Sequence, residues 1–299
     1  MAAKSGMTWG RRLAVAIPYL WLLAFFLAPF LIVLKISFSE PAIAQPPYVP
    51  TWENWAAIKA HLANLNFGNY AFLFSDSLYV NSYLNSIRIA SISTLIALLI
   101  GYPMAYGIAR SSPNWRATLL MLVILPFWTS FLIRVYSWIG ILKTEGVLNT
   151  FLLWTGVISE PLVIHFTPTA VYIGIVYSYL PFMILPLYAS LEKLDLSLLE
   201  AAADLGAKPL TAFWRITLPM SLPGVAAGCF LVFIPAVGEF VIPELLGGSS
   251  TQMIGRTLWS EFFQNRDWPI ASSVAVLLLM MLVVPILIFQ WAAKREGTG

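Results

Sequence analysis

Long apolar runs, rather than the alternating or amphipathic patterns of a soluble domain, organise this chain. They read as Leu13 to Ser37, Asn85 to Ala109, Ala117 to Leu142, Pro168 to Ser190, Gly224 to Pro243 and Ile270 to Ala292. Each reaches or exceeds the roughly 20 residues that a helix rising 1.5 Å per residue needs to cross about 30 Å of hydrocarbon. The first run is too long for the core of a signal peptide, and no small-residue cleavage pattern follows it, so it is expected to span. Six spans would put both termini on one side.

The intervening segments are less apolar and carry their own signals. The longest, Phe38 to Leu84, contains AQPPYVPTWENW, whose prolines and aromatics predict extended structure rather than another crossing. Gly146 to Ile158 carries Leu148, Phe151, Leu152 and Trp154 but is too short to cross, which predicts an interfacial or half-inserted helix. TLWSEFFQNRDW, Thr257 to Trp268, reads as an interface turn or short helix. Gly224 and Gly228 have the small-residue spacing that lets helices approach closely.

Composition agrees with a membrane protein: 59% of the 299 residues are hydrophobic and 10% charged, and the mean hydropathy is +0.80. The basic residues assign the sides. Lys4, Arg11, Arg12, Arg110, Arg116, Lys193, Lys208, Arg215, Lys294 and Arg295 fall on one face, expected to be cytoplasmic. The other face is net acidic, with Glu40, Glu53, Asp76, Glu145, Glu160, Glu244, Glu261 and Asp267 against Lys59, Lys143, Arg256 and Arg266. The formal charge of +3 is thus topological and gives no reason to invoke nucleic acid. Cys229 is the single cysteine. His61 and His165 have no metal-ligand spacing around them, so neither a metal nor a histidine-based catalytic site is assigned.

The most specific signal is the basic-face loop LEKLDLSLLEAAADLGAKPLTAFWRITLP, Leu191 to Pro219. Ser197 followed by Glu200 fits a capping box, Ala201 to Ala203 favour helix, and Gly206 stops it. Lys208 before Pro209 is biased to extended backbone, and Pro209 suits the first turn of a second helix carrying Leu210, Phe213 and Trp214. Helices this short are marginal alone in water, so the pair needs something to dock on. An ordinary surface hairpin satisfies the pattern equally well.

Glu200, Ala201, Ala202, Gly206 and Ile216 to Pro219 resemble the EAA loop of permease subunits in binding-protein-dependent ABC importers. ILPFWTSFLIRVYSW, VGEFVIPELLGG and MIGRTLWSEFF extend the resemblance to the spermidine/putrescine branch, closest to its putrescine-system permease. The resemblance implies an all-α membrane protein with six transmembrane helices in the type I (MetI-like) importer fold. Residues 1–12 would be a cytoplasmic N-terminus, 13–292 the permease domain with coupling loop 191–219, and 293–299 a cytoplasmic tail. It further implies a second permease subunit, two copies of a cytoplasmic ATPase, an extracytoplasmic binding protein and a polyamine cargo, in the bacterial inner membrane. Glu200 would meet the ATPase, Ala201 and Ala202 would allow close approach, and Gly206 would form the bend. No GxxxxGK[ST] phosphate loop occurs in the chain. The resemblance thus gives ATP and Mg to the partner ATPase, with no cofactor and no catalytic residue on this chain.

One intramembrane acid stands out. Glu239, in FIPAVGEFVIPELLGG, lies about 22 Å along an ideal helix from Gly224, and Arg134 about 26 Å from Ala117, which predicts similar depth. Glu239 is either a cation contact along a polyamine path, with Trp128, Tyr136 and Trp138 as aromatic walls, or the partner of Arg134. Tyr172, Tyr177, Tyr179 and Pro181 either line the pathway as well or, the favoured reading, anchor and pack around a proline kink. Importers of another small solute, a stand-alone carrier and a purely structural assembly subunit remain alternatives; the EAA-like loop speaks against the carrier, which needs no ATPase-docking surface.

Overall fold

The computed structural model describes residues 9–51, 54, 59 and 65–296. Lys4, Glu53 and His61 lie outside the described residues, as do the side chains of Arg11, Arg12, Lys294 and Arg295. The chain forms two compact units, Met1–Ser77 with Leu258–Gly299, and Leu78–Thr257.

In the first unit, α1 (Trp9–Leu22) runs through a π-helical turn, Leu23–Leu27, into α2 (Ala28–Ser37). The apolar run fixes this as one span, Ala14–Ser37. After it come a two-residue antiparallel pair, β1 (Glu40–Pro41) with β2 (Tyr48–Val49), and α3 (Gly68–Ser75). The last helix, α14 (Trp268–Glu296), packs on α2 and α3. Polar side chains tie the end of α2: Asn69 Nδ2 donates to the carbonyls of Ser37 at 2.9 Å and Ser39 at 2.8 Å, and Ser273 Oγ donates to Ser37 at 3.0 Å. In an apolar surrounding each such bond satisfies a carbonyl that the helix end leaves open.

In the second unit, α4 (Ser77–Arg110) leads to α5 (Pro113–Ile124), a 3-10 turn (Leu125–Trp128), α6 (Phe131–Leu142) and α7 (Val147–Trp154). Then follow α8 (Pro168–Glu192), α9 (Ser197–Asp204), α10 (Pro209–Ala212), α11 (Leu218–Val237), α12 (Val241–Leu246) and α13 (Ile254–Trp259). Ala97, Ala105 and Ile108 of α4, Met183, Ile184 and Leu187 of α8, and Val232 of α11 form the buried core. The small-residue expectation holds. A Cβ on Gly224 would lie 2.6 Å from Ser190 Cβ, and one on Gly228 would lie 2.7 Å from Met183 Sδ, so α11 seats directly on α8.

Two expected spans take a different form. Ala117 to Leu142 is not one straight crossing. Pro113–Trp128 and Phe131–Trp154 meet at 89°, broken at Thr129 and Ser130. Pro126 lacks a ladder donor, and Thr129 is extended. The fifth span begins earlier and ends earlier than Gly224 to Pro243. A π-turn, Phe213–Thr217, fuses the expected second loop helix to α11, giving one helix over Pro209–Val237. That helix stops at Gly238, beyond which the amides of Phe240, Val241 and Ile242 turn to the Glu239 carboxylate instead of the preceding turn. Among the described residues four helices are long and apolar enough to cross, five if the bent pair counts as one span. The expected sixth span lies in α14, whose apolar stretch is Trp268–Val283 among the described residues. The short helix expected in Gly146 to Ile158 is α7, with Trp154 largely exposed.

Candidate functional site: a charged cavity and an exposed loop helix

The break after α11 explains why a carboxylate is kept in an apolar stretch. The first amides of α12 have no intrahelical acceptor. Glu239 Oε1 takes them from Phe240 at 3.1 Å, Val241 at 3.0 Å and Ile242 at 3.4 Å. The next residue, Pro243, has no amide to satisfy, and the helical ladder starts with Glu244 N–H donating to Phe240 O at 3.0 Å. The other oxygen, Oε2, accepts the hydroxyl of Tyr179 on α8. Glu239 is 7% exposed, so burial of its charge is offset by a full set of donors. Gly255 closes the site from the opposite side: a Cβ there would lie 2.7 Å from the Glu239 carbonyl oxygen, so only glycine lets α13 approach this closely. Glu244 of α12 pairs with Arg256 of α13.

Beside Glu239 lies a cavity of about 510 Å³, lined in part by Phe127, Phe131, Tyr179, Phe182 and Arg134. Arg134 and Glu239 thus reach one cavity, as their depths predicted, although the straight helix used to place Arg134 is in fact broken at Thr129 and Ser130. They do not form an ion pair. Ion pairs are found between Arg116 and Glu192 and between Arg256 and Glu244. Arg134 instead lies over the rings of Phe127 and Phe131, at 4.9 Å and 5.8 Å from their centroids.

The expected aromatic walls are elsewhere. Trp128 is 70% exposed and Tyr136 58% exposed, and Trp138 packs edge-on against Tyr177, 5.3 Å between centroids. None of the three lines the cavity. The residues that do, Phe127 and Phe131, were within the same quoted motif; the break decides which of its aromatics turn inward. Tyr179, favoured from sequence for packing with pathway lining as the alternative, does line the cavity, and its hydroxyl holds Glu239.

At the other end of α11 the loop helix α9 carries Glu200, Ala201 and Ala202. The expected capping box does not form. Ser197 makes no cap bond, and Asp195 Oδ1 accepts the Ser197 amide at 3.0 Å instead. That bond, with a second from the Ser197 hydroxyl, holds the Asp195 carboxyl below its usual 3.8. The stop at Gly206 is as expected. Gly206 has φ +79°, its amide donates to Ala203 O at 2.8 Å, and the Ala207 amide donates to Ala202 O at 2.9 Å. This is a Schellman closure. Lys208 is extended, with ψ 150°. Glu200, Ala201 and Gly206 are exposed and Ala202 half-buried, and Leu205 beside them is 88% exposed.

Residues 9–295 match the family of binding-protein-dependent transport system inner membrane components. The chain belongs to that family of importer permeases. The permease is 42% identical over 284 residues, 95% of this chain and 94% of the relative, to the spermidine/putrescine transport system permease protein PotB of Haemophilus influenzae. It is 47% identical over 227 residues, 76% of this chain and 82% of the relative, to PotB of Escherichia coli. It superposes with a TM-score of 0.70 at 18% identity on a chain in the crystal structure of a bacterial ABC transporter involved in the import of the acidic polysaccharide alginate, covering 96% of each chain. The permease therefore has the type I (MetI-like) importer fold, as the loop and branch motifs implied.

Proposed function

We propose that this chain is one of two membrane subunits of an ATP-driven polyamine importer and forms half of the translocation path. The observation that carries this reading is the 42–47% identity to spermidine/putrescine permeases across most of the chain. The cavity supports it. Polyamines are multiply protonated at neutral pH, and the rings of Tyr179 and Phe182 with the Glu239 carboxylate offer cation–π and charge attraction in a partly desolvated place, provided that the Arg134 charge in the same wall is matched by an acid of the assembled complex. Trp128 and Tyr136, exposed outside the cavity, are available to a wall shared with the second subunit.

Coupling runs through α9. Its short apolar helix needs a dock, and exposed Glu200, Ala201 and Leu205 suit a cleft of the cytoplasmic ATPase, two copies of which bind ATP and Mg. An extracytoplasmic binding protein delivers cargo on the opposite face. In this orientation both termini are cytoplasmic.

Reconstitution of the complete complex, with and without its binding protein, tests the reading. Uptake and stimulated ATP hydrolysis are expected with putrescine or spermidine and not with unrelated solutes. Equal stimulation by a neutral solute, or none by any polyamine, would reject a polyamine cargo.

A further inference from the structure

The cavity holds a cation that this chain leaves unanswered. Arg134 is 9% exposed, and its Nε and Nη1 are buried with no hydrogen-bond partner among the described residues. Ring faces attract the guanidinium but accept none of its in-plane protons, so the contacts with Phe127 and Phe131 do not replace those bonds. A second donor in the same wall is in the same condition. Ser178 Oγ, on a residue 4% exposed, has no hydrogen-bond partner among the described residues, although a helical serine ordinarily bonds back to the preceding turn.

Glu239 does not answer them in this structure. It is the one carboxylate in the cavity wall, and its oxygens are occupied by the amides of Phe240, Val241 and Ile242 and by the Tyr179 hydroxyl. The wall therefore sums to zero charge, Arg134 against Glu239. A neutral wall carrying an unpaired guanidinium does not favour a dication, and a polyamine has no acceptor to offer a guanidinium. Hydrocarbon offers none either.

We propose that Arg134 receives a carboxylate from the second membrane subunit, at an interface centred on this cavity, with the Ser178 hydroxyl as its second donor. This rests on the paired-permease reading above. The incoming acid has two effects. It satisfies the buried donors, which fixes the register of the two subunits, and it turns the shared wall net negative, which the cargo requires.

A charge-swap experiment on the whole complex tests this. Arg134→Glu is expected to lower recovery of the two permeases as a pair, and substrate-stimulated ATP hydrolysis, by about tenfold or more, while Arg134→Lys keeps most of both. Arg134→Gln should give the same direction with less repulsion. A series of single Asp or Glu to Arg changes in the spans of the second subunit should contain one that restores Arg134→Glu to within about threefold of the original. Three outcomes overturn the proposal. Arg134→Gln assembles and couples unchanged; or no partner change rescues while Glu239→Arg in the same chain does, which makes the pair internal; or the loss tracks anionic lipid content in nanodiscs, which makes the occupant a headgroup. Subunit pairing is read without cargo, so a complex that pairs through Arg134 and fails to import polyamines refutes only the substrate reading.

Discussion

Replacing Gly206 isolates what the loop closure contributes. Its φ of +79° is the left-handed region, and an added Cβ would meet nothing within 4 Å. The cost of a side chain there is therefore conformational and not steric. Alanine should lose about 1–2 kcal/mol, asparagine less because it tolerates this region, and valine more because branching at Cβ opposes it. A loss of that size is roughly a 5- to 30-fold shift in the closed population. The direct readout is hydrogen exchange at the amides of Gly206 and Ala207, which bond to Ala203 and Ala202. Exchange should quicken by the same factor in the order Asn, Ala, Val. In the reconstituted complex, ATP hydrolysis and uptake should uncouple in the same order. Valine with the exchange of the original would refute the conformational argument. Faster exchange with unchanged coupling would refute the assignment of α9 to the ATPase.

Other substitutions address the cavity and the packing beneath it. Tyr179→Phe removes a hydrogen bond to a charged group and should cost about 1.5–3 kcal/mol, seen as a lowered melting temperature of the purified complex. Glu239→Gln keeps an oxygen for the α12 amides but loses the charged acceptor of the Tyr179 hydroxyl, so the complex should assemble, melt lower by no more than Tyr179→Phe does, and lose polyamine uptake; Glu239→Ala also removes the cap, at about 0.5–2 kcal/mol. Gly224→Ala should destabilise more than Gly228→Ala, because its Cβ would be 2.8 Å from the fixed Pro186 carbonyl oxygen whereas the Gly228 Cβ presses chiefly on the flexible Met183 side chain; overpacking of this kind costs about 1–3 kcal/mol. Asp195 has a carboxyl held low by the Ser197 amide, so its support of α9 is complete above its usual 3.8 and is lost as pH falls through the lower folded value. Asp195→Asn should remove that acid dependence of exchange at the start of α9.

Much of this was readable from residues whose physics is local. Gly206, Lys208 and Pro209 dictate their own backbone, and the structure has them as expected. Glycines 224 and 228 gave their packing role because a missing side chain leaves few alternatives. The capping box failed for an equally local reason: Asp195, two residues before Ser197, competes for the same amide, and a pattern search that starts at Ser197 does not look behind it. What sequence could not supply was rotation and breakage. The turn at Thr129 and Ser130 exchanges Trp128 and Tyr136 for Phe127 and Phe131 at the cavity, and no count of residues along an ideal helix anticipates that. Glu239 was legible as a costly buried acid. That its donors would be its own following amides and Tyr179 depended on α11 ending at Gly238, which the two flanking prolines suggested only as a bend.

The π-turn at Phe213–Thr217 carries a consequence for how such a chain can vary in length. A π-turn accommodates one residue more than an α-helical turn within nearly the same rise, and the α-helix resumes beyond it. The segment lies between α10 and the stretch of α11 that ends beside Glu239. Loss of a single residue in Phe213–Thr217 is therefore absorbed where it occurs, by the π-turn reverting to an α-turn, whereas the same change in Leu218–Val237 would turn everything beyond it by about 100°. Homologues with a loop one residue shorter can keep Val232 against α8 and Glu239 beneath α12, so the loop can vary at this point while the cavity stays in register.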